Sequence, residues 1–196
     1  MNLNIRRYIK KNNLEYITDT YDFKGTSNYA NNVLPIKLKL TTSKDVLEIV
    51  QKPWILKLIN CLPILNTETF APFKVYLNGV LCGKSKNILF KPIFLFYIND
   101  DLYEIRQHNN NYISLMHNNL QIALYKKDDV TISETNNYSI KCVNNDEMIQ
   151  WITLFCLFID RIFYPNNSSL NYWKYEKNYV INDEYSQRLS WEPVDE

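Results

Sequence analysis

Apolar and polar residues alternate with a period of two in short runs along much of the chain. Ile36, Leu38 and Leu40 alternate with Lys37 and Lys39, which predicts a strand with one wet face. Residues 3–10 and 14–18 flank Lys11, Asn12 and Asn13 and read as a hairpin, whereas 21–32 read as a loop. From residue 80 the rhythm is regular. Runs at 80–83, 88–98, 102–107, 112–116, 120–125, 130–133 and 138–143 are divided by turn signals, among them 84–87 and 99–101. About seven strands at that spacing predict an antiparallel sandwich or barrel. Residues 73–77 are a candidate eighth, because Asn78-Gly79 is itself a hairpin signal. Pro92 bends the run 88–98 or places it at an edge.

Two segments switch to helical spacing. Thr42, Ser43, Lys44 and Asp45 fit a capping box ahead of Val46, Leu47, Ile49 and Val50, predicting a helix that Pro53 breaks or kinks before 54–62. Pro63 and Pro72 bracket an expected linker. The clearer helix is 144–163, with Asn144 as N-cap, Glu147 three residues on and Pro165 beyond its end. At about 100° per residue, Met148, Trp151, Ile152, Phe155, Phe158, Ile159 and Ile162 form one broad apolar face. Gln150, Thr153, Asp160 and Arg161 lie opposite, interrupted by Leu157 and flanked by Leu154, Cys156 and Phe163. One face should seat on the strands, and the apolar flanks call for a second cover. Asp160 and Arg161 must reach water or pair, since burying either alone is costly. The apolar run 151–159 is about half the ~20 residues of a membrane span, so a packed helix is expected and no transmembrane segment.

Short strands followed by one capped helix carrying a Trp resemble the pleckstrin homology (PH) domain over about residues 78–163. Gly79-Val80-Leu81 is similar to its opening strand and Phe90-Lys91-Pro92-Ile93-Phe94-Leu95-Phe96 to its second. Asn99-Asp100-Asp101-Leu102-Tyr103 resembles the turn into its third strand, and Tyr138 to Val143 its last. Asp146, Glu147 and Trp151 resemble its helix start. The fold so implied is mainly β with a C-terminal helix: a seven-stranded antiparallel PH-like barrel or sandwich capped by 144–163. The PH-like domain would occupy 71–165. Residues 1–70 would form a mixed N-terminal region, either a degenerate PH-like half or an α/β extension. The aromatic-rich tail 166–196 would pack on the domain or a partner. A different barrel with a C-terminal helix, such as the tubby-like fold, is the structural alternative and needs about twelve strands.

Many PH domains bind phosphoinositides through basic residues around the loop between their first two strands. The resemblance therefore implies anion or lipid contact at Lys84, Lys86 and Lys91, with Lys74 or Lys126-Lys127 as candidate neighbours. Cys82 and Pro92 stand where the family has its first-strand Lys and second-strand Arg.

Charge sharpens this reading. The formal net charge is +1, so the chain has no global field to draw nucleic acid or anionic lipid, and a local patch is required. Cys61, Cys82, Cys142 and Cys156 form no C-x-x-C pair, and no apolar run follows Arg6 and Arg7. Reduced thiols and a cytoplasmic protein, peripheral at a membrane, are expected. With only 3 glycines, Asn must supply most positive-φ turn positions.

Catalytic patterns are not found in the sequence. His108 and His117 flank one strand about 16 Å apart and read as surface histidines. Asp100, Asp101 and Glu104 lack calcium-loop spacing and read as a hairpin turn. No P-loop, dinucleotide or nucleophile-elbow signature occurs. The expectation is a non-enzymatic adaptor without cofactor or metal, recognising anionic phospholipid or a protein partner. A protein-interaction module using the tail or N-terminal region, and an enzyme without a recognisable motif, are the alternatives.

Overall fold

Among the described residues twelve strands, rather than seven or eight, carry the period-two pattern. The computed structural model describes residues 1–10, 13–28, 35–51, 73–87, 93–108, 112–128, 137–163 and 191–193. The strands are β1 (Asn2–Lys10), β2 (Asn13–Thr18), β3 (Lys24–Asn28), β4 (Lys37–Thr41), β5 (Val46–Gln51) and β6 (Phe73–Leu77). They continue as β7 (Val80–Asn87), β8 (Ile93–Ile98), β9 (Asp101–Gln107), β10 (Tyr112–His117), β11 (Leu120–Lys127) and β12 (Asn137–Cys142). Each pairs antiparallel with its neighbours in sequence, and β1 pairs with β12 to close the barrel. Leu3 lies opposite Ile140 at that seam, and the Met1 ammonium donates to the Cys142 carbonyl at 2.9 Å.

Helix α1 (Asp146–Phe163) runs through the barrel. A twelve-strand barrel tilted about 40° is about 24 Å across between backbones, from a strand spacing of about 4.8 Å. Inward side chains narrow that to the ~10–12 Å of a helix with its own side chains. The helix is accordingly buried on every side from Trp151 to Ile162, Thr153, Leu157, Asp160 and Arg161 included. Phe158 meets Phe73, Phe94 and Phe96 edge-on, and Phe155 packs against Phe96 and Tyr103. The Tyr125 hydroxyl donates to the Ile152 carbonyl at 2.9 Å. Where the helix comes closest to the wall, β3 presents Gly25, whose missing Cβ would sit 2.6 Å from Leu157 Cδ2.

These findings overturn the seven-stranded PH-like barrel or sandwich. Its helix was to cover the strands with one face; here the apolar flanks at Leu154, Cys156 and Leu157 are covered by the same wall that covers Trp151. Strands on both sides of the expected 70/71 boundary share one barrel, with Gln51 opposite Phe73. The helix expected at 46–50 is strand β5. Its β-branched Val46, Ile49 and Val50 suit a pleated sheet, and Thr42 Oγ1 accepts from the Lys44 and Asp45 amides inside a hairpin turn. The expected turn at 84–87 continues β7, and β3 lies within the expected loop 21–32. The helix cap is Asn145, one residue later than expected; its side-chain oxygen accepts from the Glu147 and Met148 amides. The strand at 130–133 and the helix at 54–62 fall outside the described residues. Mainly β with a C-terminal helix holds.

Turns 78–79, 99–100 and 118–119 gather at the barrel end where α1 begins, because alternate reversals of an up-and-down barrel share an end. Asn78, Asn99, Asn118 and Asn119 have positive φ, as the scarcity of glycine requires. Asn78 also locks neighbouring hairpins together: its Oδ1 accepts from the Val46 amide and its Nδ2 donates to Asp45, both at 2.8 Å. Asn118 repeats the arrangement with Leu102 and Asp101, at 2.9 and 2.8 Å. No helix among the described residues is long and apolar enough to cross a membrane.

Candidate anion-binding surface

Since the helix fills the barrel, candidate chemistry divides between a closed interior and the outer wall. On β7, Ser85 faces inward and accepts from the Phe73 amide at 2.8 Å. Period-two alternation then turns Lys84 and Lys86 outward on either side of it, and both are exposed. A register shift against β6 falls at Cys82, so Gly83 opposes Val75 while Leu81 opposes Tyr76. The extra residue puts Leu81 on the outer face with Lys84 despite their odd spacing. The Cys82 thiol is half-buried, bonds the Val75 carbonyl at 3.5 Å, and is pushed up in pKa by burial.

Register builds a row across the outer wall. Lys37 opposes Val50, Val50 opposes Lys74, Lys74 opposes Lys84, Lys84 opposes Tyr97, and Tyr97 opposes Leu102. Directly opposed side chains have Cβ atoms about 4.5–5.5 Å apart, and like charges there are destabilising. Lys74 and Lys84 are such a pair. No ion pair to Lys74, Lys84 or Lys86 occurs among the described residues, whereas Lys37 is neutralised by Glu48 at 3.2 Å. Among the described residues, the wall from β3 to β7 carries seven lysines against the two carboxylates Asp45 and Glu48. The near-zero net charge therefore conceals a basic side.

Of the expected contact residues, Lys84 and Lys86 thus share a face, and Lys91 lies outside the described residues. Lys74 is brought against Lys84. Lys126 and Lys127 sit on β11, four strands from β7, where the Lys126 ammonium lies 5.9 Å from the Tyr112 ring centroid. Tyr97 is not singled out by the sequence, because its place beside Lys84 depends on which strands pair.

The interior holds a polar cluster that sequence periodicity only half foresaw. Asp160 accepts from Arg7 Nη1 at 3.1 Å on each oxygen, from the Tyr16 hydroxyl at 2.7 Å, and from the Tyr138 hydroxyl. Burial first, then the Asp160 carboxylate, pushes both phenols well above their ordinary pKa of 10. All four side chains are closed off from solvent, so no substrate reaches them.

Elsewhere, His108 is buried against the Ser114 hydroxyl at 2.7 Å, a correction to its surface placement. His117 stacks on Tyr103 and lies 3.3 Å from Asp101. Asp100 occupies a hairpin turn, while Glu104 forms a two-pronged pair with Arg106 at 2.6 and 2.7 Å. No cluster able to hold a metal ion occurs among the described residues. Cys82, Cys142 and Cys156 are free thiols. Comparison with protein-family models, with curated proteins and with solved structures returns no match.

Proposed function

We propose that this chain is a non-catalytic binding module whose β6–β7 wall docks on anionic phospholipid at a membrane surface. The observation that carries the reading is the register pair Lys74–Lys84, extended by Lys86 on the same face. Apposed ammonium groups raise the energy of the free wall, and an anion lying between them relieves that repulsion. Each lysine near an anionic leaflet contributes about 1 kcal/mol, so three give about a hundredfold preference over neutral lipid. This attraction is screened by salt, with a Debye length of about 8 Å at physiological ionic strength. A binding role also suits a barrel whose interior is filled by its own helix.

Co-sedimentation with phosphatidylserine-containing vesicles tests the reading. Binding should fall steeply as salt rises, disappear on pure phosphatidylcholine, and drop by roughly tenfold or more in the variant Lys84→Glu/Lys86→Glu. Equal retention of that variant and the parent protein on anionic vesicles would remove the wall from the function.

A further inference from the structure

Beside the lysines, the β6–β7 hairpin exposes apolar side chains that a wall facing only water has no use for. Val80 is 69% exposed, Leu81 54% and Tyr97 40%, three of the six exposed large apolar residues among the described residues. Leu81 and Tyr97 share the outer face with Lys84, while Val80, opposite Leu77, stands at the rim. Leu81 opposes the half-buried Tyr76 one step toward the turn from the Lys74–Lys84 pair, Tyr97 opposes Lys84, and Val80 stands next to the turn 78–79. From mid-wall to tip the surface therefore runs from cationic, through tyrosine, to aliphatic. Lys44 is exposed at the neighbouring β4–β5 turn, whose Asp45 is held by Asn78. Of the carboxylates around this surface, Glu48 opposes Tyr76 and is paired with Lys37, while Asp100 and Asp101 lie at the neighbouring β8–β9 turn, where Asp101 is held by Asn118 and His117.

We infer that the β6–β7 hairpin is an interfacial anchor, with Val80 and Leu81 entering the acyl region of a bilayer while Lys74, Lys84 and Lys86 hold anionic headgroups. The proposal rests on the membrane reading of the basic wall and adds an orientation: the barrel meets the bilayer tip-first on β6–β7, tilted so that both Tyr76 and Tyr97 lie at headgroup level. Tyrosine suits that depth, since its ring is apolar and its hydroxyl wet. The hairpin is also rigid, because Asn78 ties its turn to β5 on both side-chain atoms, so insertion costs little ordering. Charge complementarity selects a lipid surface over a neutral apolar partner, for which the lysines would be a desolvation cost.

Two measurements on phosphatidylserine/phosphatidylcholine vesicles decide it. The variant Val80→Ser/Leu81→Ser should bind roughly tenfold or more weakly with its salt dependence unchanged, since exposed apolar area is removed without altering the charge. Ile17→Ser, at an exposed position of β2, should bind as the parent does. In a Val80→Trp variant, acyl-chain-brominated lipid should quench emission beyond the quenching seen in the parent protein. Parent-like binding by the double variant, or no added quenching, overturns the anchor and leaves the basic wall standing. Absence of salt-sensitive binding by the parent protein overturns both.

Discussion

Asp160 receives donors from three strands drawn from both ends of the barrel's order: Arg7 on β1, Tyr16 on β2 and Tyr138 on β12. It thereby fixes the depth and rotation of α1 against the barrel seam. Such a pair adds little net stability over an apolar substitute, but breaking one side of it is expensive. Asp160→Asn should lower stability by about 3–5 kcal/mol, read as a fall in the denaturation midpoint, because Arg7 is left buried without its counter-charge. The phenols give a pH signature. Below about pH 10 both folded and unfolded chains keep these protons; above it only the unfolded chain releases them, since Tyr16, Tyr125 and Tyr138 are held well above 10. Stability therefore falls as pH rises past about 10, by up to about 1.4 kcal/mol per pH unit for each phenol. In an alkaline titration, the phenolate absorbance of these three should appear together with loss of circular dichroism and not before it.

At the scale of elements, the turns and the wall make separate demands. Asn78→Ala and Asn118→Ala each lose a positive-φ residue and a pair of bridging hydrogen bonds, and each should cost about 1–3 kcal/mol by thermal or chemical denaturation. Gly25→Ala should cost a similar amount by crowding Leu157. Lys74→Glu should do the opposite. Replacing the like pair with an opposite one should raise stability by a few tenths of a kcal/mol to about 1 kcal/mol while lowering retention on anionic vesicles. The elements were unequally legible. Helix 144–163 and the strands from 102 to 125 are plain in sequence, because cap, period and turn residues agree. Residues 46–50 are not, because Val-Leu-Glu-Ile-Val fits either period and only the partner strands on each side decide it. Likewise 84–87 looks like a turn in isolation, yet pairing with β8 extends it into strand.

For the molecule as a whole, the missing information was long-range. The apolar flanks of the helix show in the sequence that one packing face is insufficient, but what covers them depends on a wall that includes β3 and β5, which read in isolation as a loop and a helix. The same is true of the basic side. Lys84 and Lys86 are two residues apart and visible as a pair, whereas Lys74 joins them only through the β6–β7 register. Neutralising lysines elsewhere, for example Lys141→Ala on the opposite side, should leave vesicle retention within about twofold, because a charge separated by more than the Debye length is screened. Lys141 is in any case engaged by Glu192.

The seam between the first and last strands has a consequence for how the chain comes to be made. Of the barrel's elements β1 is made before the others, yet its partner β12 and the helix that fills the lumen follow all the other strands. Until then, up to eleven strands present an apolar inner surface with nothing to bury it, and two unpaired edges remain open. Contacts such as Leu3–Ile140 and Arg7–Asp160 span nearly the whole chain, which makes folding slow and late. The nascent protein should consequently depend on holding chaperones, and truncation before residue 144 should give aggregates rather than a smaller barrel.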